Sequence, residues 1–223
     1  MAASKGAARQ GRRPLVFKGV ELVCGTRFEE EARAAGHLVV AGVDEVGRGA
    51  LCGPVAAAAV ILGDGFDPRG IDDSKRLTAL QRERQAARIH ALARAVCVAF
   101  AQVEEIDRLN ILRATYLAMR RAVAGLLTRV DLVLVDALVI PDLATPQRAI
   151  VKGDALSASI AAASIVAKVA RDGIMRECDL RHPGYGLARN MGYASEDHRM
   201  ALRRLGPSAI HRRTFSGTQP WLF

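Results

Sequence analysis

Aromatic residues are scarce in this 223-residue chain, at 4%. A core built on stacked rings is excluded. Half of the residues are hydrophobic all the same, so the core must be aliphatic and alanine-rich, which favours helices packed closely on a sheet. Cysteine is scarce as well. Cys24, Cys52, Cys97 and Cys178 lie far apart without C-x-x-C spacing, which argues against a zinc site and fits free thiols in a reducing cytoplasm. No apolar stretch is long and uncharged enough to span a bilayer, so no membrane partner is expected. The first twenty residues lack both acids and an apolar core but carry Lys5, Arg9, Arg12, Arg13 and Lys18. That pattern is not a secretory signal. It predicts a disordered basic arm over residues 1–15, with an organelle transit peptide as the alternative.

Acids are outnumbered: 23 Asp and Glu against 32 Lys and Arg give a net charge of +9 and a pI near 10.0. The excess points to a polyanionic partner, although the same balance can serve solubility alone. Most of it is arginine, whose planar fork suits phosphate. A chain of this length buries roughly 70% of its unfolded surface, so no metal or disulfide staple is needed for stability.

What is present begins with Val43-Asp44-Glu45-Val46-Gly47-Arg48-Gly49. The apolar, β-branched residues 38–43 read as a buried strand. Carboxylates at the end of such a strand are costly unless paired, and a hard divalent cation with oxygen preference is a fitting partner. The glycines beside them can expose backbone N–H groups to a phosphate or a sugar hydroxyl. Further strands are predicted at 54–62, 96–103, 131–136 and 148–151. Helices are predicted at 28–35, 78–94 with Thr78 as N-cap, 110–127, 157–178 and 195–205. Strand–helix alternation after three early strands gives an α/β class: a mixed sheet flanked by helices with a small C-terminal helical segment. The organisation expected is an arm at 1–15, a catalytic unit at 16–180 and a substrate-binding segment at 181–223.

Asp136 closes an apolar strand as Asp44 does, and Asp154 follows the next one. Each alone could be a solvated turn, and Asp154 could cap the helix that follows. Together, Asp44, Glu45, Asp136 and Asp154 sit at strand ends, which converge on one edge of an α/β sheet. Four carboxylates could hold two divalent ions about 3.5–4 Å apart. One obstacle is that adjacent strand residues face opposite ways, so the backbone is expected to leave β geometry at Glu45.

These residues closely resemble the ribonuclease HII family, the type 2 ribonucleases H. The likeness covers AGVDEVGRG (41–49), GPVAAAAVIL (53–62), DSKRLT (73–78), NILRATYLAMRRAV (110–123), KGDALSASIAAASIVAKVARD (152–172), HPGYG (182–186) and GPSAIHRRTF (206–215). It implies a ribonuclease-H-like mixed sheet. It also implies a monomeric endoribonuclease that hydrolyses the RNA strand of RNA–DNA hybrids and cuts at single ribonucleotides in duplex DNA. The family uses Mg²⁺ or Mn²⁺ and leaves a 3′-hydroxyl and a 5′-phosphate. By the same resemblance its four metal carboxylates fall on Asp44, Glu45, Asp136 and Asp154. Its ribose-reading element falls on Gly47, Arg48 and Gly49, its sugar-packing tyrosine on Tyr185, and its phosphate-side element on Ser74 and Lys75. The residues agree with this, because the 2′-hydroxyl is what separates RNA from DNA at one nucleotide.

Elsewhere, Lys152 could orient a carboxylate or touch phosphate, and Arg171 and Asp172 read as a structural ion pair. His198 reads as a surface helix residue, and Arg203, Arg204, Arg212 and Arg213 as clamps on the duplex backbone. Ala50, Cys52, Ala137 and Met191 depart from the usual family pattern, Met191 removing a positive charge and Ala137 replacing a glycine. A ribonuclease-H-like enzyme acting on DNA would share the carboxylates without needing a ribose reader. A non-catalytic binder would share only the basic surface.

Overall fold

The computed structural model describes residues 15–17 and 20–219, with side chains from Val23 onward. The expected basic arm lies outside the described residues except for Leu15. That residue opens β1 (Leu15–Phe17), which pairs antiparallel with β2 (Val20–Leu22). This small hairpin was not foreseen.

The main sheet holds β3 (Val40–Val46), β4 (Val55–Ile61), β5 (Ala95–Ala101), β6 (Leu132–Asp136) and β7 (Gln147–Ile150). Its order is β5-β4-β3-β6-β7. β3, β4 and β5 pair antiparallel, while β6 and β7 join the other side of β3 in parallel. β4 (VAAAAVI) is buried at every position, as expected of a strand covered on both faces.

Two helices cover those faces. α4 (Ile111–Ala124) presents Ala114, Ala118, Met119 and Ala122 to Ala41, Val43, Ala57 and Val133. On the opposite face lies α6 (Ala158–Arg181), whose start is capped by the Ser157 hydroxyl accepting from the N–H of Ile160. Small residues let α6 come close: a Cβ on Gly42 would fall 2.1 Å from the Ser159 carbonyl carbon. The alanine-rich, ring-poor composition is therefore used as anticipated.

The flanking helices are α1 (Arg27–Ala34), α2 (Ala79–Leu92), α3 (Val103–Leu109), α5 (Gly153–Leu156), α7 (Leu187–Asn190) and α8 (Glu196–Leu205). Thr78 caps α2 in a full capping box with Gln81. Several boundaries differ from expectation, and three of them bear on the site. The predicted strand 96–103 ends at Ala101, because Gln102 and Glu105 form a capping box that starts α3. The predicted helix 157–178 extends to Arg181, and the separate turn α5 precedes it. The predicted strand 38–43 runs on to Val46, carrying Asp44 and Glu45 inside it.

Beyond α8 the chain folds back onto residues 50–53. The N–H of Gly53 donates to Ile210 O at 2.9 Å, and the N–H of Arg212 donates to Leu51 O at 2.9 Å. Leu51, Cys52, Met175, Tyr185, Leu187 and Leu202 form a small core beneath this return. Among the described residues, no helix is long and apolar enough to cross a membrane.

Candidate active site

The site is set by where strand pairing stops. The parallel ladder of β3 with β6 ends at Val43 opposite Val135, whereas the antiparallel ladder with β4 continues to Val46 opposite Ala56. From Asp44 onward, β3 is therefore open on its β6 side. Asp44 lies on the α6 face, where Ser164 hydrogen-bonds to its carboxylate. Glu45 points to the alternate face, yet lines the same cleft of about 230 Å³ as Asp44 and Asp136. The backbone does not leave β geometry at Glu45, contrary to expectation: its register with Ala57 is regular. The open edge, rather than a kink, lets both carboxylates serve one cleft. The chain turns only at Gly47, with φ +92°.

Asp136 ends β6, and its Oδ1 accepts from the N–H of Gly153 at 2.7 Å. Ala137, standing where the family favours glycine, takes φ +51°, a left-handed conformation that glycine enters at lower cost. Asp154 sits in the first turn of α5 and does not cap α6, a role Ser157 fills. Its Oδ2 accepts from Lys75 Nζ at 2.9 Å, which ties it to the cleft wall.

The electrostatics are those of a crowded acidic site. Burial holds the Asp44 carboxyl well above the usual carboxylate range; the charges of Glu45, Asp136 and Asp154 push the same way against the Ser164 bond. Asp136 is pushed up to about 6 by burial and by Asp154, against the Gly153 N–H. Burial opposes the charge on Lys75, but the bond to Asp154 and the charges of Asp73 and Asp44 outweigh it and hold the ammonium above its ordinary value. Arg48 Nη1 pairs with Glu45 Oε1 at 3.0 Å, while Glu45 Oε2 is buried without a hydrogen-bond partner among the described residues. Three carboxylates lining one cleft, with a buried oxygen left unsatisfied, fit a hard divalent cation drawn between them, although no three of these acids already hold their oxygens within 4.8 Å of one another.

The other expected residues divide. Ser74 and Lys75 line the cleft, but Ser74 is buried with its hydroxyl 2.9 Å from that of Ser164. Gly47 and Arg48 line it too. Tyr185 does not: its ring lies 7% exposed in the C-terminal core, and its hydroxyl donates to Gly206 O at 2.7 Å. The tyrosine in the cleft is Tyr193. Arg203, Arg204 and Arg213 are exposed as foreseen, but Arg212 is fully buried and cannot clamp a duplex. Arg171 does not pair with Asp172, whose Oδ1 instead takes Lys168 Nζ at 2.6 Å. Lys152 begins α5 in a left-handed conformation.

His198 is not a surface residue. It is wholly buried, with Nδ1 2.9 Å from Tyr193 O and Nε2 3.1 Å from His211 Nε2. With Cys52, the two histidines form a buried trio that spacing rules for zinc did not reveal. The Ser208 N–H donates to His211 Nδ1 at 3.0 Å. That bond leaves the His211 proton on Nε2, facing His198 Nε2.

Three polar cleft residues were missed: Ser164, Lys168 and Tyr193. Ser164 and Lys168 stand four apart on α6 and so share a face, a signal present in the sequence. Tyr193 follows a glycine just as Tyr185 does, and nothing local separates the two.

A family model described as Ribonuclease HII matches residues 41–218. A curated Ribonuclease HII from Cereibacter sphaeroides is 59% identical over 198 residues, spanning 88% of this chain and 93% of that protein. One from Ruegeria pomeroyi is 49% identical over 234 residues, spanning 99% of each. Among solved structures, the ribonuclease H2 from Pyrococcus horikoshii OT3 superposes with a TM-score of 0.68 at 26% identity, covering 82% of this chain and 96% of that one. A Bst-RNase HIII in complex with Mn²⁺ gives 0.70 at 20% identity, with 86% and 71% coverage, and shows a common fold alone.

Proposed function

This chain belongs to the ribonuclease HII family, and from that membership we infer that it is an endoribonuclease acting on RNA–DNA hybrids and on single ribonucleotides within duplex DNA. It is a divalent-metal-dependent hydrolase. We assign its cation site to Asp44, Glu45, Asp136 and Asp154, with Mg²⁺ or Mn²⁺ as the ion. The observation that carries this assignment is geometric: Asp44, Glu45 and Asp136 line one cleft, Asp154 is held at its wall through Lys75, and a buried Glu45 oxygen has no hydrogen-bond partner among the described residues. Bound cations would supply Lewis acidity to the attacking water and to the leaving oxygen.

The protein's own groups do the rest. Ser164 and the Gly153 N–H hold Asp44 and Asp136 in place. Gly47, Arg48 and Gly49 meet the ribose 2′-hydroxyl through backbone groups, and Tyr193, in place of Tyr185, packs on the sugar. Lys75, with its side chain 77% exposed, can reach a phosphate from the pocket wall. Residues 181–223, with exposed Arg203, Arg204 and Arg213, form the substrate-binding segment of a monomer. Water adds to the phosphorus, the P–O3′ bond breaks, and the products carry a 3′-hydroxyl and a 5′-phosphate.

The deciding assay is a DNA duplex with one ribonucleotide, incubated with each cation and mapped for the cut. A single incision 5′ of the ribonucleotide is expected, absent in Asp44→Asn. Equal cleavage of an all-DNA duplex, or full activity of the variant, sinks the reading.

A further inference from the structure

Arg171 and Arg212 are both 0% exposed. Neither pairs with a carboxylate among the described residues; Asp172, the neighbour of Arg171, is taken by Lys168 at 2.6 Å and approached by Arg82 at 4.0 Å. Carbonyls hold them instead. Arg212 donates from Nη2 to Gly47 O at 2.8 Å, from Nη1 to Arg48 O at 2.9 Å and from Nε to Gly53 O at 3.0 Å. Arg171 donates from Nε to Pro54 O at 2.9 Å, from Nη2 to Cys52 O at 3.1 Å and from Nη1 to Met191 O at 2.9 Å. The loop between β3 and β4 is thus tied to α6 by one fork and to the C-terminal segment by the other.

Burial disfavours both charges, and Arg171 adds like-charge repulsion against Arg212. Buried charges are poor contributors to stability, and apolar replacements often hold a fold as well. Stability alone gives no reason for two guanidinium groups here.

The orientation of the loop gives one. In a trans peptide the C=O of one residue and the N–H of the next point in opposite directions. Arg212 takes the carbonyls of Gly47 and Arg48, so the N–H groups of Arg48 and Gly49 are turned away from it. Among the described residues those two N–H groups have no backbone acceptor. Gly47 permits the arrangement: its φ is +92°, and a Cβ there would lie 2.1 Å from Arg171 Nε.

We propose that Arg212, backed by Arg171, is a positioning residue that sets ribose selectivity by locking the 47–48 and 48–49 peptides with their N–H groups facing the substrate. The proposal rests on the ribonucleotide-cleaving function inferred above. A lysine keeps the charge, but its three donors radiate from one nitrogen and cannot span the three carbonyls as the planar fork does.

The test is equilibrium binding in EDTA of a duplex with one ribonucleotide and of the same duplex in DNA alone, using wild type and Arg212→Lys. The expected result is at least a tenfold loss of the ribonucleotide preference, with affinity for the all-DNA duplex within twofold of wild type. A merely destabilised fold lowers both affinities together and leaves their ratio unchanged. Should Arg212→Lys fail to fold, Arg171→Lys, which weakens the same loop from the α6 side, must shift the ratio in the same direction. A folded variant that keeps the wild-type ratio overturns the proposal. A wild type that neither prefers nor cuts the ribonucleotide duplex removes the functional reading itself, a distinguishable failure.

Discussion

Asp44 is under two opposed demands. The proposed catalysis needs it ionised beside three other acids, while its burial favours the neutral form. Its amide isostere should therefore separate stability from function. We expect Asp44→Asn to raise cation-free stability by about 1–2 kcal/mol, since it relieves a strained active-site charge. Turnover should fall by at least about 100-fold. Thermal melts in EDTA and cleavage rates with Mg²⁺ or Mn²⁺ check both halves. The two tyrosines make the complementary case. Tyr185→Phe removes one hydrogen bond to Gly206 and should cost about 1 kcal/mol with little change in activity. Tyr193→Ala should leave the melting temperature nearly unchanged and cut kcat/KM by about tenfold or more. Activity following Tyr185 instead would reverse the assignment. Each tyrosine follows a glycine and lies near basic residues, so one dimension could not rank them; burial against the C-terminal core does.

At the scale of elements, β3 and α6 build the cleft together. α6 carries Ser164 and Lys168 to the carboxylates only because its first turn rests on the backbone of Gly42. Gly42→Ala would drive a methyl into the Ser159 carbonyl, and either the helix or the strand must yield. A loss of about 3 kcal/mol is expected from such overpacking, read by urea denaturation. Activity should decline with it, as Ser164 moves off Asp44. The helix itself was legible from its run of small residues, and β4 from its unbroken apolar stretch. α3 was hidden because its cap is Gln102 with Glu105 rather than a serine or threonine, and an apolar strand led straight into it. The regular geometry at Glu45 was hidden for a different reason. Whether two adjacent side chains can share a cleft depends on where the neighbouring strand ends, and β6 lies about ninety residues away in the chain.

For the molecule as a whole, the return of the C-terminal segment onto residues 50–53 brings two neutral histidines into the interior. Burial, and then His198, push His211 down to about 4, while burial lowers His198. The sign follows. Below the unfolded value of about 6.5 the unfolded chain binds a proton that the folded His211 refuses, so stability falls as pH drops from about 6.5 to about 4. The loss from His211 is on the order of 3 kcal/mol. Asp44 and Asp136, with raised values, slope the other way in cation-free protein. The difference between wild type and His211→Asn isolates the histidine: the variant should lose much of this acid sensitivity in chemical melts between pH 7 and 4. An identical slope in both proteins would exclude it.

Residue order along the chain was enough to set the class of fold and the family, and to single out the four acids proposed as cation ligands, because alternation, apolar runs and short motifs are local properties. Three-dimensional packing alone decided that Tyr193 rather than Tyr185 lines the cleft, that Glu45 reaches it from an unbroken strand, and that Arg171, Arg212 and His198 face inward. Each of those outcomes depends on which distant segment covers a side chain, and cover is a property of tertiary contact that no local pattern encodes.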